Sequence, residues 1–204
     1  MYEIFVTGSV LSVVIAGIFY IRLMWRGSIN PVPATWILLL MMISISFFMY
    51  WESPNRSLTA NIALTANFFN ILMILIGVIV TNIRNGTLKV QFDVVQKWCL
   101  IGGVTVVLLW SVTDNPLMSY SLMQIIAVIA YFATAQRLWK AEHTTEPYFF
   151  WIASLVSNLC ALYPAWVHND VFSWIFLARA IPSTTLLMYL IFRIKRKTRR
   201  VQII

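Results

Sequence analysis

The sequence predicts an all-α polytopic membrane protein with seven transmembrane helices in a 3+1+3 parallel-repeat arrangement. Three observations lead there: long unbroken apolar runs, a one-sided distribution of basic residues, and a pattern that occurs twice. Of the 204 residues, 60% are hydrophobic and only 11% charged, and the mean hydropathy is +0.80. A water-soluble domain carries roughly a quarter charged residues, so this composition excludes one. A helix needs about 20 apolar residues to cross a bilayer core, whereas a β-barrel shows short alternating segments. The runs here are of the first kind.

The expected spans are 4–24, 33–51, 59–82, 94–112, 116–138, 147–166 and 171–193. The breaks between them hold turn-forming residues, among them Gly27-Ser28-Ile29-Asn30-Pro31, Asn85-Gly86 and Asp114-Asn115-Pro116. The shortest is the Asp-Asn-Pro turn, where Pro116 stops the fourth span from running into the fifth. The first span follows only Met-Tyr-Glu, with no basic leader and no small-residue cleavage site, and is expected to be retained. Cys99 and Cys160 fall inside apolar spans and read as small hydrophobes, not a disulfide.

Charge orients the chain. The first, third and fifth loops hold Arg22, Arg26, Arg84, Lys89, Lys97, Arg137 and Lys140. The tail adds Arg193, Lys195, Arg196, Lys197, Arg199 and Arg200, whereas the N-terminus and the other three loops hold only Arg56. Basic residues stay on the cytoplasmic side, so the N-terminus is expected outside and the C-terminus inside. The net charge of +8 thus anchors topology at an anionic leaflet and does not point to nucleic acid.

The repeat rests on Trp and Pro pairs. Trp25-Arg26, Pro33 and Trp36-Ile37-x-x-Leu40 recur about 114 positions later as Trp139-Lys140, Pro147 and Trp151-Ile152-x-x-Leu155. Nearly the same offset lays Leu72-Met73 on Leu187-Met188. Two three-helix units that both start outside can be parallel only if one extra crossing joins them. The expected organisation is therefore 1–84 as the first repeat, 85–113 as a linking helix, and 114–204 as the second repeat with its basic tail. Parallel repeats of this kind are a transporter design.

The 3+1+3 plan with an outside N-terminus resembles the SWEET and PQ-loop superfamily of seven-helix transporters. The pattern Tyr20-x-Arg22-x-x-Trp25 with Pro33-x-Thr35-Trp36 is similar to an uncharacterised group of bacterial membrane proteins related to that superfamily. So is Asp114-Asn115-Pro116 followed by Arg137-Leu138-Trp139-Lys140, Glu146-Pro147 and Trp151. The resemblance implies a bacterial inner (plasma) membrane location and, on the third helix, an asparagine that holds the solute; Asn67 or Asn70 matches it. The seventh helix has no asparagine, and Thr185 falls opposite Asn70. No Pro-Gln pair occurs, and the first and fifth helices lack the superfamily's hinge prolines.

Among individual residues Arg179 stands out. It follows Asp170 by nine residues, so it lies roughly 14 Å into its span, where arginine costs about 2.5–3.5 kcal/mol. No Asp or Glu lies mid-span to neutralise it. Two readings fit: a cation aimed at an anionic or polar solute, or a side chain snorkelling outward. Pro182 then interrupts the helix, and Ser183, Thr184 and Thr185 stand ready to satisfy freed backbone groups. Asn67 and Asn70 share a face as interhelical glue or as pocket lining. Trp151, Ser154 and Asn158 form one stripe, and Gln124 and Tyr131 another. Trp36 and Trp151 sit at helix ends and read as interfacial anchors.

The expected function is a small-solute transporter or facilitator with a mid-membrane site lined by Asn67, Asn70, Gln124, Asn158, Arg179 and Thr184. The alternative is a non-transporting sensor or partner-docking subunit. The expected partners are the lipid bilayer and a polar or anionic small molecule, with a homo-oligomer compatible. No cofactor, metal site or enzymatic constellation is expected: His143 and His168 fall on opposite faces, and no Gly-rich loop or Cys-x-x-Cys occurs. Asn55-Arg56-Ser57 forms an outward glycosylation sequon.

Overall fold

The computed structural model describes residues 1–54, 56–141 and 146–201; Asn55 of the sequon and His143 lie outside the described residues. The described residues form seven α-helices and no strand: α1 Tyr2–Trp25, α2 Pro33–Trp51, α3 Ile62–Arg84, α4 Val94–Thr113, α5 Pro116–Lys140, α6 Tyr148–His168 and α7 Val171–Val201. All seven are long and apolar enough to cross a membrane, and the protein is an integral membrane protein on that ground. Their outward faces are apolar too, as on Leu11, Ile18, Phe69, Ile76, Ile125 and Phe132. A helix apolar on both its inner and outer faces belongs in lipid.

Local chemistry sets the helix ends. Gly27 and Gly86 take the left-handed conformation, at φ 70° and 64°, where a Cβ would be strained. Between α4 and α5 that conformation falls on Asp114 (φ 48°), and Asn115 then caps α5 by accepting from the Met118 amide at 3.0 Å with Pro116 in its first turn. Asn169 (φ 49°) makes the equivalent corner between α6 and α7, where Asp170 Oδ1 accepts from the Phe172 amide at 3.1 Å. α4 opens with a full capping box: Asp93 Oδ1 accepts from the Gln96 amide at 2.8 Å and Gln96 Oε1 from the Asp93 amide at 3.0 Å. Gln96 Nε2 goes on to Thr35 Oγ1 at 3.1 Å, tying α4 to α2.

Two boundaries differ from the sequence expectation. α3 begins at Ile62, not near 59, because Thr59 and Ala60 are used in a turn that Ser57 closes. α7 continues past 193 to Val201, since Lys and Arg favour helix and no breaker intervenes. Its 31 residues span about 46 Å against a hydrocarbon core of about 30 Å, so the basic end protrudes. Arg193 stacks on Trp139 at 4.4 Å and Lys195 on Tyr148 at 5.9 Å, pinning that end to α5 and α6.

Packing places α3 against both α1 and α2, and α7 against both α5 and α6. The two groups meet along α1–α6 and α2–α5, while α4 lies on α5 and α2. The α1–α6 seam runs the length of both helices: Tyr2 Oη to His168 Nε2 at 3.0 Å, Phe5 stacked on Tyr163 at 4.9 Å, Ser9 Oγ to Ser157 Oγ at 3.0 Å, and Phe19 against Phe149 at 5.0 Å.

Candidate functional site

Arg179 sits on α7 where that helix meets α5. Its Nε donates to Gln124 Oε1 at 3.0 Å; Gln124 Nε2 donates to Ser46 Oγ at 3.0 Å; Ser46 Oγ donates to the Met42 carbonyl at 3.0 Å. Arginine can only donate, so the Gln124 oxygen must face it and the amide nitrogen must face Ser46. Each of the three bonds then has a donor and an acceptor, and three helices are joined by them. The guanidinium lies over the rings of Phe176 at 4.7 Å and Tyr131 at 5.5 Å, a favourable seat for a cation out of water. Its terminal nitrogens bond to no described residue. The exposed Arg137–Asp93 ion pair, at 3.8 Å, does not involve Arg179, and no acidic side chain among the described residues pairs with the guanidinium.

The other expected site residues do not join this relay. Asn67 Nδ2 donates to its own helix at the Ala63 carbonyl, 2.8 Å away. Thr184 Oγ1 donates to the Ala180 and Ile181 carbonyls at 2.7 and 3.1 Å, serving the turn around Pro182. Thr185 does the same to Ile181 at 2.8 Å. Asn70 and Asn158 are buried, and the Oδ1 of each has no hydrogen-bond partner. Asn70 rests against Gly17 of α1, whose missing side chain makes the room.

Aromatic residues close the bundle on either side of these polar groups. Toward the basic ends of the helices, Tyr20, Trp36 and Phe150 meet at 5.1, 5.2 and 6.2 Å between ring centres. All three are buried, Trp36 at 7% exposure. Trp36 is therefore a core residue and not an interfacial anchor: α1 and α6 cover it with their own rings. The tryptophans placed for anchoring are the exposed Trp25, Trp98, Trp139 and Trp166. At the opposite ends, Phe172 packs edge-on against Tyr50 at 5.5 Å and Tyr120 at 5.0 Å. There Tyr50 Oη donates to the Ser57 carbonyl at 2.7 Å and accepts from its amide at 2.9 Å. Ser173 Oγ reaches Asp170 Oδ2 at 2.7 Å and the Ala60 carbonyl at 2.9 Å.

Sequence reasoning paired Gln124 with Tyr131 and singled out Arg179, but missed Ser46, Asn61 and Tyr120. Tyr120 was visible as the residue four before Gln124 on the same stripe. Comparison with protein-family models, with curated proteins and with solved structures finds no match to this chain.

Proposed function

We propose that the protein is a carrier or facilitator for a small polar or anionic solute, built as two parallel three-helix repeats, α1–α3 and α5–α7, joined by α4. One observation carries this reading: a partly buried guanidinium, seated on two rings and aimed by Gln124, has no acidic partner among the described residues. A purely structural arginine would be expected to spend its terminal nitrogens on neighbouring carbonyls or acids. Here they remain free for a solute.

The packing order supports the two-repeat plan. The third helix of each group lies against the other two, and α1–α6 mirrors α5–α2, which is the relation a two-fold axis along the membrane normal would produce. The aromatic closures at Tyr20–Trp36–Phe150 and Tyr50–Tyr120–Phe172 support an enclosed site between them. The orientation that goes with this proposal puts Tyr20 on the cytoplasmic side and Tyr50 outside.

In proteoliposomes, Arg179→Leu should abolish uptake of the solute while membrane insertion is unchanged. Transport at the wild-type rate would remove Arg179 from the site.

A further inference from the structure

A second group of polar atoms lies one helical turn from the Arg179 relay. Tyr120 precedes Gln124 by four residues on α5, so the two share a face. It is fully buried, yet its hydroxyl has no hydrogen-bond partner. The Asn61 carboxamide, at the N-cap of α3 and 1% exposed, has no partner at Oδ1 or Nδ2; the bond from Ser173 to the neighbouring Ala60 carbonyl holds it in the corner where Phe172 packs on Tyr120. A buried amide and phenol without protein partners are a place where water or a ligand is held.

The surroundings narrow what fits. Phe172, which packs on the Tyr120 ring, is tied to Asp170 through its amide and stands one helical turn before Phe176, the ring under Arg179. Asp170 already accepts from the Phe172 amide and the Ser173 hydroxyl, so it holds the entrance of α7 and leaves the pair to a visitor. Asn61 offers one donor group and one acceptor, and Tyr120 offers both. That combination suits a hydroxyl, which also gives and takes. A second carboxylate would meet the Asn61 oxygen and the charge of Asp170. An alkyl chain would leave all three atoms unpaired.

We propose that Asn61 and Tyr120 are a hydroxyl-recognising subsite beside the anion-recognising guanidinium, and that the solute class is a small polyhydroxylated carboxylate. This rests on the carrier reading and specifies its solute. Arg179 takes the carboxylate through its free nitrogens, while Asn61 and Tyr120 exchange hydrogen bonds with the hydroxyls at the other end. A site whose buried polar groups need a hydroxyl rejects the analogue that lacks it.

Titration calorimetry on the detergent-purified protein with four six-carbon probes tests this: gluconate, hexanoate, adipate and glucose. Gluconate should bind at least about tenfold more tightly than each of the others, the equivalent of one or two hydrogen bonds. Asn61→Leu and Tyr120→Phe should bring gluconate towards hexanoate, and Arg179→Leu should bring it towards glucose. Equal binding of gluconate and hexanoate by the wild type would mean that the pair holds water only; the subsite fails and the carrier reading stands. Glucose binding as tightly as gluconate would overturn the carboxylate assignment. If none of the four binds, the proposal is wrong, and the carrier reading then depends on a wider set of solutes. The wild-type series decides these outcomes even if a variant does not fold.

Discussion

Removing the Arg179 side chain strands the Gln124 carbonyl oxygen. In Arg179→Leu, Gln124 Oε1 loses its donor while Gln124 itself stays buried, which costs about 1–3 kcal/mol. Arg179→Lys keeps the charge but loses the planar group that lies over Phe176 and Tyr131. The double variant Arg179→Leu, Gln124→Leu should recover part of the single-variant loss, with a coupling of about 1–3 kcal/mol in a denaturant series; strictly additive losses would show that the pair is not joined. Depth within a span and absence of a mid-span acid made Arg179 legible in the sequence, and its stripe with Tyr131 did the same for Gln124. Ser46 was not legible. A helical serine ordinarily bonds its own backbone, as this one does to Met42, and its second bond goes to a residue 78 positions away. Thr184 is polar and deep, and its hydroxyl serves its own helix.

Among the elements, α1 packs along both α3 and α6, and small residues make that possible. A side chain at Gly17 would run into Asn70 and Met73. Gly17→Leu should therefore overpack the α1–α3 contact and cost about 1–3 kcal/mol, read as a lower melting temperature; an unchanged value would show that α1 shifts freely. The link between α5 and α6 titrates. Burial raises the pKa of Glu146 above its ordinary value, outweighing the Trp151 indole and the Arg137 charge, which both lower it. The folded protein thus holds this proton more tightly than the unfolded chain does. Its stabilising contribution is complete below the ordinary carboxylate pKa and is lost as pH rises through the raised value. Melting temperatures from about pH 4 to 8 should fall across that window in the wild type and fall less in Glu146→Gln; parallel curves would contradict it. Helix number and most ends were readable from apolar run length and turn residues. The burial of Trp36 was not, because helix-end position gives depth along the membrane but not which neighbouring ring covers the side.

For the whole molecule, the proposed orientation rests on charge asymmetry: thirteen of the fifteen Lys and Arg fall in the loops and tail that it places in the cytoplasm. A membrane-impermeant maleimide should label Arg56→Cys in intact cells and Lys89→Cys only after lysis; the reverse would invert the topology and both aromatic closures with it. The recurrence of Trp and Pro near an offset of 114 is the ground in the sequence for the proposed repeat. The seams α1–α6 and α2–α5 were not legible there, since apolar helices facing lipid on one side and protein on the other leave no periodic mark. The central claim is that Arg179 binds a solute, and thermal unfolding of the detergent-purified protein against sugars, organic acids, nucleosides and vitamins tests it most directly. A ligand at about 100 times its Kd adds about 2.7 kcal/mol to the folded state. The expected result is a rise in melting temperature with at least one polar or anionic solute that disappears in Arg179→Leu. No rise with any member of the panel, or an equal rise in the variant, would contradict the account.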